Sequence, residues 1–417
     1  MIRRAVRDVP LVTIALLLSL YGIAMVFSAG VTEVRTPAEG LWRTQAMWCL
    51  LGMTGAYVVS RFSVRIIEWL SWPAYLFSLL LLAVLLVPGL GGGAGTAAST
   101  KSWLVIGGIR LGQPAELAKL TVVLMLARVL SQRREAPSSL LELWKPALVV
   151  GVPWLLIMAQ PDLGSGLAFV GIFFAMLFWA GVPWRLLLLL ASPAVSLVLS
   201  FDMWWWGGWF LLLLALVVSY RPYLVEGVVL VVANVVMGVV APIMWDRLAP
   251  YQQKRLLVFI DPQADPRGAS WHVLQSQTAI GSGGWFGTGW TAGPQKGLAF
   301  LPEQHTDFIF AVVGEELGFI GVSVALGLFL LLFLRVVRIA QRANEPFSGL
   351  VAFGLLASWF VHVIVNIGMT LNLMPITGIP LPFFSYGGSF MLASWLAVGV
   401  LVRISSEGRG QLGQLSV

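Results

Sequence analysis

Long apolar segments alternate with short polar ones along almost the whole chain. Runs such as LLLLALVV and LGLFLLLFL are typical of membrane-spanning helices, because about 20 apolar residues are needed to cross the hydrocarbon layer. The pattern predicts an all-α polytopic membrane protein that forms one domain over residues 1–417. Twelve spans are predicted, at residues 10–29, 42–60, 66–88, 113–131, 146–160, 163–181, 183–200, 204–220, 224–245, 306–336, 348–371 and 381–403.

The positive charges between these spans predict their orientation. Under this count one side of the membrane receives Arg3, Arg4, Arg7, Arg61, Arg65, Arg128, Arg133, Arg134, Lys145, Arg185, Arg221, Arg335, Arg338, Arg342, Arg403 and Arg409. By the positive-inside rule this side is cytoplasmic. Both termini are then expected inside, and the connections 30–41, 89–112 and 246–305 outside. The Gly-rich stretch 89–100 within the second of these is predicted to be a flexible linker.

The composition excludes several other classes of protein. Hydrophobic residues make up 58% of the chain and charged residues only 11%, whereas a soluble domain carries about 25% charged residues. A net charge of +7 in such a chain favours lipid headgroups and an anionic substrate as partners over nucleic acid. The single cysteine, Cys49, excludes a disulfide within the chain, and the three histidines lack the spacing of a metal motif.

The connection 246–305 is the longest polar segment, and we predict that it is an extracytoplasmic catalytic loop. It contains ADPRGASWHVLQSQTAIGSGGWFGTGW at 264–290, which is rich in glycine, tryptophan and amides. Asp261 and Asp265 each precede a proline, so either alone is also explained as a turn cap. Gln275 in the same stretch is a candidate cavity-lining residue. A phosphate-binding GxxxxGK[ST] motif is absent from the sequence.

Ionisable residues also lie within the fourth predicted span. Glu116 and Lys119 are three residues apart, so they share a helix face. A structural ion pair and a functional site are both possible explanations, since intramembrane charges are expensive at roughly 3 kcal/mol each. In either case Lys119 should face the helix bundle.

Further polar groups fall at the ends of other spans and could line a cavity, although each is also explained as a cap or loop residue. Asp162 lies in QPDLGSG, and a Pro-rich break interrupts the apolar pattern at 365–389. A Glu/His/Asp cluster in LPEQHTDFIF could hold a divalent cation, but it lacks the usual histidine spacing. The candidates are Asp162, Glu303, His305, Asp307, Asn366, Ser385 and Tyr386.

Five segments together resemble the SEDS family (shape, elongation, division and sporulation proteins). They are WLVIGGIRLGQPAELAKL, QPDLGSG, DPRGASWHVLQSQTAIGSGG, FLPEQHTDFIFAVVGEELG and MPITGIPLPFFSYGGS. They occur in the family's order across nearly the whole chain. The GIPLPFFSYGGS ending and the NIGM run are more similar to the rod-shape branch than to the division branch. The chain departs from the family's ten-span core in residues 201–245, which read as an inserted hairpin of two spans.

The resemblance implies a peptidoglycan glycosyltransferase that polymerises lipid II at the outer face of the bacterial inner membrane. It also implies a class B penicillin-binding protein as partner, an essential aspartate at Asp265, and a charged pair at Glu116 and Lys119.

The implied reaction needs one base, because pyrophosphate leaves without being protonated. Asp265 is the candidate general base. Lys119, Arg110, Lys101, Arg267 or a divalent cation such as Mg or Mn would neutralise the pyrophosphate.

Two other functions are compatible with the sequence. A lipid II flippase would also need a polytopic body and buried charges, although a transporter typically shows internal repeats, and none is visible. A noncatalytic scaffold that activates a penicillin-binding protein is the other alternative.

Overall fold

The computed structural model describes residues 8–93, 101–107, 109–133, 135–220, 222–248, 253–254, 257–259, 261, 263, 270–301 and 303–412. Its α-helices are α1 (Val9–Ala29), α2 (Leu41–Val59), α3 (Val64–Val84), α4 (Pro114–Ser131), α5 (Trp144–Met158), α6 (Leu163–Trp179), α7 (Trp184–Leu199), α8 (Met203–Tyr220), α9 (Leu224–Arg247), α10 (Trp271–Ser282), α11 (Pro294–Gly297), α12 (Ile309–Gln341), α13 (Pro346–Thr370) and α14 (Gly388–Leu412). A 3-10 turn, Leu141–Leu143, precedes α5. Asp265 and Arg267 lie outside the described residues.

The all-α polytopic fold predicted from the apolar pattern is confirmed. Eight helices in the described ranges are long and apolar enough to cross a membrane, and α6 and α7 are shorter apolar helices. The other two predicted spans, α2 and α4, are also helical. Helix α4 carries Glu116, Lys119 and Arg128, which explains why its sequence is less apolar than that of its neighbours.

The helices differ strongly in how much of their surface is covered. The most apolar 18-residue stretch is 72% buried in α13 and 61% buried in α14, but only 6% buried in α8. A helix that is buried on all sides within a bundle must be apolar or must satisfy its polar groups internally. Helix α4 does the second, because Glu116, Lys119 and Thr121 are all buried there.

Helices α8 and α9 form a hairpin at the periphery of the bundle. Its apolar side chains are largely exposed, as a surface facing lipid should be, and Trp204 is 90% exposed. The hairpin packs on α7 around a buried polar group, in which the Asn234 amide donates to Ser192 and the Trp209 ring nitrogen donates to Ser196. That residues 201–245 were inserted into a ten-span core remains a prediction.

The structure describes residues 89–93 of the Gly-rich stretch 89–100 that was predicted to be a flexible linker, and Gly91 and Gly92 are paired there in a strand. Three short antiparallel strands, β1 (Gly91–Gly92), β2 (Trp103–Ile106) and β3 (Ile109–Gly112), form a sheet in that order. The prediction of a flexible linker was therefore wrong for β1, while residues 94–100 lie outside the described part. The sheet leads directly into α4, because Gln113 is the N-cap of that helix.

Among the described residues of the predicted loop 246–305, helices α10 and α11 are present, and residues 253–254 and 257–259 are also helical. Helix α10 buries Val273, Ser276 and Ala279 on one face, and the Ser276 hydroxyl donates to the carbonyl of Thr370. Helix α11 follows after a glycine-rich turn. Helix α10 thus packs against α12 and α13, whereas Trp285, Phe286 and Trp290 after it are largely exposed.

Helix α12 is broken at Gly318, where φ is +60°. The turn after α10 fills the break, since the amides of Phe319 and Ile320 donate to the carbonyls of Gly284 and Trp285. Only glycine fits at Gly287, because a Cβ there would lie 2.0 Å from the carbonyl oxygen of Glu316. The break therefore locks the turn against the helix.

Candidate functional site

The charged residues of α4 form a buried cluster with a histidine from α13. The Lys119 ammonium lies 2.9 Å from both carboxylate oxygens of Glu116 and 2.6 Å from Nε2 of His362. All three side chains are at most 4% exposed. We call Glu116, Lys119 and His362 the Lys119 site.

Aromatic and backbone groups enclose the Lys119 site. The Phe390 ring stacks on the His362 ring with their centres 4.5 Å apart. The Lys119 ammonium lies 5.1 Å from the centre of the Phe390 ring. Nδ1 of His362 lies 2.9 Å from the carbonyl oxygen of Pro380. Three helices and the Pro-rich segment before α14 thus converge on one ammonium group, which faces the bundle as predicted.

A second polar group lies next to this site, at the start of α4. The Gln113 amide donates to Asp162 at 3.0 Å, and the amide and hydroxyl of Ser165 donate to the same carboxylate at 2.9 Å. Asp162 is therefore the N-cap of α6, which agrees with its explanation as a cap residue. It also bridges to α4, so it belongs to the surroundings of the Lys119 site.

The two basic residues predicted beside Lys119 lie on or next to the sheet. Arg110 is an exposed residue of β3, and Lys101 is exposed just before β2. The backbone amide of Lys101 donates to the carbonyl of Gln160, two residues before Asp162. The structure therefore brings both cations to the Asp162 end of the bundle, without direct contact to Lys119 among the hydrogen bonds found.

The candidates from 303–307 and from 365–389 lie on two segments that are joined by hydrogen bonds. The Ser385 hydroxyl donates to the carbonyl of Thr306 at 2.7 Å, and the Tyr386 amide donates to the carbonyl of His305. The Asn366 amide donates to the carbonyls of Asp307 and Ile379 at 2.9 and 2.7 Å. These side chains hold the Pro-rich segment in place, so their visible role is structural.

His305, in the segment 303–307, carries a titratable ring. Its Nε2 lies 3.9 Å from the carboxylate of Glu303, and its ring packs beside Tyr386. Burial lowers the pKa of His305 below its ordinary value, and the opposing effect of the Glu303 carboxylate is smaller. His305 is therefore neutral near pH 7, which weakens the case for a charged Glu/His pair.

A second buried ion pair lies on the other side of this segment. The Lys296 ammonium lies 2.7 Å from Glu316, and both side chains are fully buried. Lys296 also donates to the carbonyls of Ser28 and Thr291 at 3.1 Å, and the carboxylate of Glu315 accepts from the amides of Gln295 and Lys296. We call Ser28, Lys296, Glu315 and Glu316 the Lys296 site.

Sequence reasoning missed the partners in both sites. In the sequence, His362 is one of three histidines without the spacing of a metal motif, and Lys296 falls in the connection 246–305 that is predicted to lie outside. A signal was present, since a histidine and a pair of glutamates inside apolar spans need buried partners. The missing information was which distant residue supplies each partner.

The remaining predictions have mixed outcomes. Gln275 is partly exposed on α10, and no contact places it in either site. Within the described residues there is no cluster of three or more His, Cys, Asp or Glu side chains that could hold a metal ion. A cavity of about 220 Å³ lies at the opposite end of the bundle, lined by Leu130, Arg133, Trp179 and Leu350 among others, and is remote from both sites.

The architecture and these sites define a polytopic membrane protein in which the Lys119 and Lys296 sites lie toward the same end of the helix bundle. The model of the FtsW/RodA/SpoVE family, described as cell cycle proteins, matches residues 9–220 and 206–410. The chain therefore belongs to this family, which confirms the SEDS resemblance. The two matched stretches overlap at residues 206–220, inside the hairpin predicted to be an insertion.

Known relatives are similar over almost their full length. Peptidoglycan glycosyltransferase MrdB of Escherichia coli K12 is 34% identical over 96% of this chain and 94% of its own. A probable peptidoglycan glycosyltransferase FtsW of Trichlorobacter lovleyi is also 34% identical, over 97% and 94%.

A solved chain from a peptidoglycan synthase complex has a TM-score of 0.70 and 29% identity, over 97% of this chain and 98% of that one.

Proposed function

We propose that this protein is a peptidoglycan glycosyltransferase that polymerises lipid II into β-1,4-linked glycan strands during cell elongation. The observation that carries the proposal is full-length similarity to proteins named as peptidoglycan glycosyltransferases. The buried Lys119 site supports it, because a transferase that acts on a lipid pyrophosphate needs fixed positive charge near the membrane surface.

The end of the bundle that holds the Lys119 site is proposed to lie on the extracytoplasmic side of the cytoplasmic (inner) membrane, with both termini on the cytoplasmic side. The distribution of Lys and Arg between the spans supports this orientation. In that arrangement the sheet, the N-terminus of α4 and the segment 303–307 all lie on the outer side. Lipid-linked sugars presented in the outer leaflet would then meet the end of the bundle that holds the polar groups.

Each residue has a proposed part in the reaction. Asp265 removes the proton from the acceptor hydroxyl, which attacks the anomeric carbon of the donor sugar and inverts it as the bond to pyrophosphate breaks. Lys119 stabilises negative charge on the departing pyrophosphate, and Glu116 stabilises the charged form of Lys119. Arg110, Lys101 and Arg267 are further candidates for contact with phosphate oxygens.

A requirement for Mg or Mn stays a prediction. The described residues do not offer a cluster suited to such an ion, so no step is assigned to a metal. Comparing polymerisation with and without a chelator tests the requirement.

A class B penicillin-binding protein is the proposed partner that crosslinks the new strands. The similar chain in a peptidoglycan synthase complex, in which polymerization and crosslinking are coordinated, supports this proposal. Its addition to purified protein is expected to raise the rate of glycan synthesis.

Purified protein with labelled lipid II tests the function directly. Glycan strands are expected from the wild type and from Asp261→Ala, a matched control in the other Asp-Pro pair, but not from correctly folded Asp265→Ala. Glycan synthesis by Asp265→Ala at the wild-type rate would overturn the role of Asp265. Translocation without strands would indicate a flippase, and stimulation of a penicillin-binding protein without strands would indicate a scaffold.

A further inference from the structure

His362 is the only partner of Lys119 in the described contacts that comes from outside α4 and carries a titratable ring. It reaches the ammonium from α13 and is 243 residues away from Lys119 in the sequence. Its side chain is 1% exposed. A histidine in an apolar span is expensive unless both ring nitrogens are satisfied, so the contacts of the two nitrogens are informative.

These contacts specify the tautomer. The carbonyl oxygen of Pro380 can only accept a hydrogen bond, so Nδ1, at 2.9 Å, must carry the proton. An ammonium can only donate, so Nε2, at 2.6 Å from Lys119, must present its lone pair. The ring is therefore neutral, with hydrogen on Nδ1, and it holds Lys119 from the side opposite the local Glu116 contact.

The carbonyl that fixes the ring is itself held in place. Pro380 lies between Ile379, whose carbonyl accepts from the Asn366 amide at 2.7 Å, and Leu381, whose amide donates to the Ser385 hydroxyl at 2.9 Å. The same Asn366 amide reaches the carbonyl of Asp307. The position of the Pro-rich segment is thus transmitted through His362 to Lys119.

We propose that His362 is a positioning residue for the glycosyl transfer, and that it sets the location of the Lys119 ammonium relative to the substrate pyrophosphate. The inference rests on the proposed function. Glu116 alone holds the ammonium from a single helix, through its two carboxylate oxygens, whereas acceptors on two different helices fix its position. A displacement of about 1 Å at a reacting group lowers a rate by about 100-fold.

Two substitutions separate positioning from packing. His362→Phe keeps a ring that can stack on Phe390 but removes both nitrogens, whereas His362→Gln keeps one donor and one acceptor. We expect kcat for glycan synthesis to fall about 100-fold in His362→Phe, with KM for lipid II within about threefold of the wild type. His362→Gln should recover to within about tenfold. The thermal unfolding midpoint of each detergent-purified variant provides the control for folding.

The contact itself has a readout that does not depend on activity. Because the chain has three histidines, ¹⁵N-histidine labelling of a His272→Gln, His305→Gln protein leaves only the two ring-nitrogen signals of His362. The expected spectrum shows a protonated Nδ1 and an unprotonated Nε2, and Lys119→Met should move the Nε2 resonance.

The outcomes distinguish this inference from the proposed function. Absence of glycan from the wild type would overturn the function, and with it the catalytic meaning of the contact. Wild-type synthesis together with an unchanged rate in His362→Phe would overturn the inference alone. So would an Nε2–H tautomer, or an Nε2 resonance that does not respond to Lys119→Met.

Discussion

The Lys119 site and the Lys296 site are both buried ion pairs at the same end of the bundle, but they are built differently. In the Lys119 site, lysine and glutamate lie one turn apart on α4, and the nearby Asp162 is partly exposed. In the Lys296 site the pair joins α11 to α12, and the lysine is additionally bonded to α1 and to Thr291. We infer that the first site is arranged to meet a ligand and that the second holds the fold together.

The segment 303–307 connects the two sites. The Gln304 amide donates to the carbonyl of Ala29 at 2.7 Å, next to Ser28 of the Lys296 site. On its other side, Thr306 and Asp307 accept from Ser385 and Asn366, which hold the segment around Pro380. A displacement in either site can therefore be transmitted to the other through this segment. The following experiments test how independent the Lys119 and Lys296 sites are.

The largest expected effect on stability comes from Lys296→Met. This change leaves the Glu316 carboxylate buried without its ammonium partner, and breaking a buried pair costs about 3–5 kcal/mol. Thermal unfolding of the detergent-purified protein should show a large decrease. Lys296→Met combined with Glu316→Gln removes both charges and should recover much of the loss. Equal stability of the single and double variants would contradict the assignment of a structural ion pair.

A smaller loss is expected from Gly293→Ala. A Cβ at this position would lie 2.6 Å from Oε2 of Glu315, so the carboxylate that caps α11 would have to move. Overpacking of this kind costs about 1–3 kcal/mol. Gly297→Ala, four residues later, is a matched control because nothing lies within 4 Å of its Cβ. A loss of the same size in both variants would show that helix α11, and not the Glu315 contact, is responsible.

The smallest effect concerns His305, on the connecting segment. Burial lowers the pKa of His305 in the folded protein, so the unfolded chain takes up the proton first as the pH falls. Stability is then fully present above the unfolded pKa of about 6.5 and decreases as the pH falls towards the folded pKa. Unfolding midpoints between pH 8 and 5 should decrease less in His305→Gln than in the wild type. If the unfolding midpoint changed with pH equally in the wild type and in His305→Gln, His305 would not be the group whose titration lowers the stability.

The comparison also explains how much the sequence could predict. The spans were predictable because each needs an apolar run long enough to cross the bilayer. The Glu116–Lys119 pair was predictable because residues three apart share a helix face. Helix α10 was not predicted because its buried face is made of Val273, Ser276 and Ala279. Two of these side chains are small or polar, so the buried face is hardly more apolar than the exposed one.

The tertiary contacts needed information that local patterns do not contain. His362 reaches Lys119 only because α13 packs against α4. Lys296 is buried because α11 lies where Glu316 of α12 and Ser28 of α1 both contact its ammonium. Local propensity assigns charges in a polar loop to the surface, and tertiary packing overrides it here. The roles proposed for Asp265 and Arg267 rest on the family resemblance, since both lie outside the described residues.

The division of roles between the two sites is tested most directly by the rate of glycan synthesis from lipid II per folded molecule. In Lys119→Met this rate is expected to fall about 100-fold or more, because a fixed charge at the pyrophosphate is removed. Lys145→Met, which changes an exposed lysine, is the matched control and should keep the wild-type rate. The Lys296→Met, Glu316→Gln double variant should stay within about tenfold of the wild type once corrected for the folded fraction. A wild-type rate in Lys119→Met, together with loss of synthesis in the folded double variant, would contradict the account.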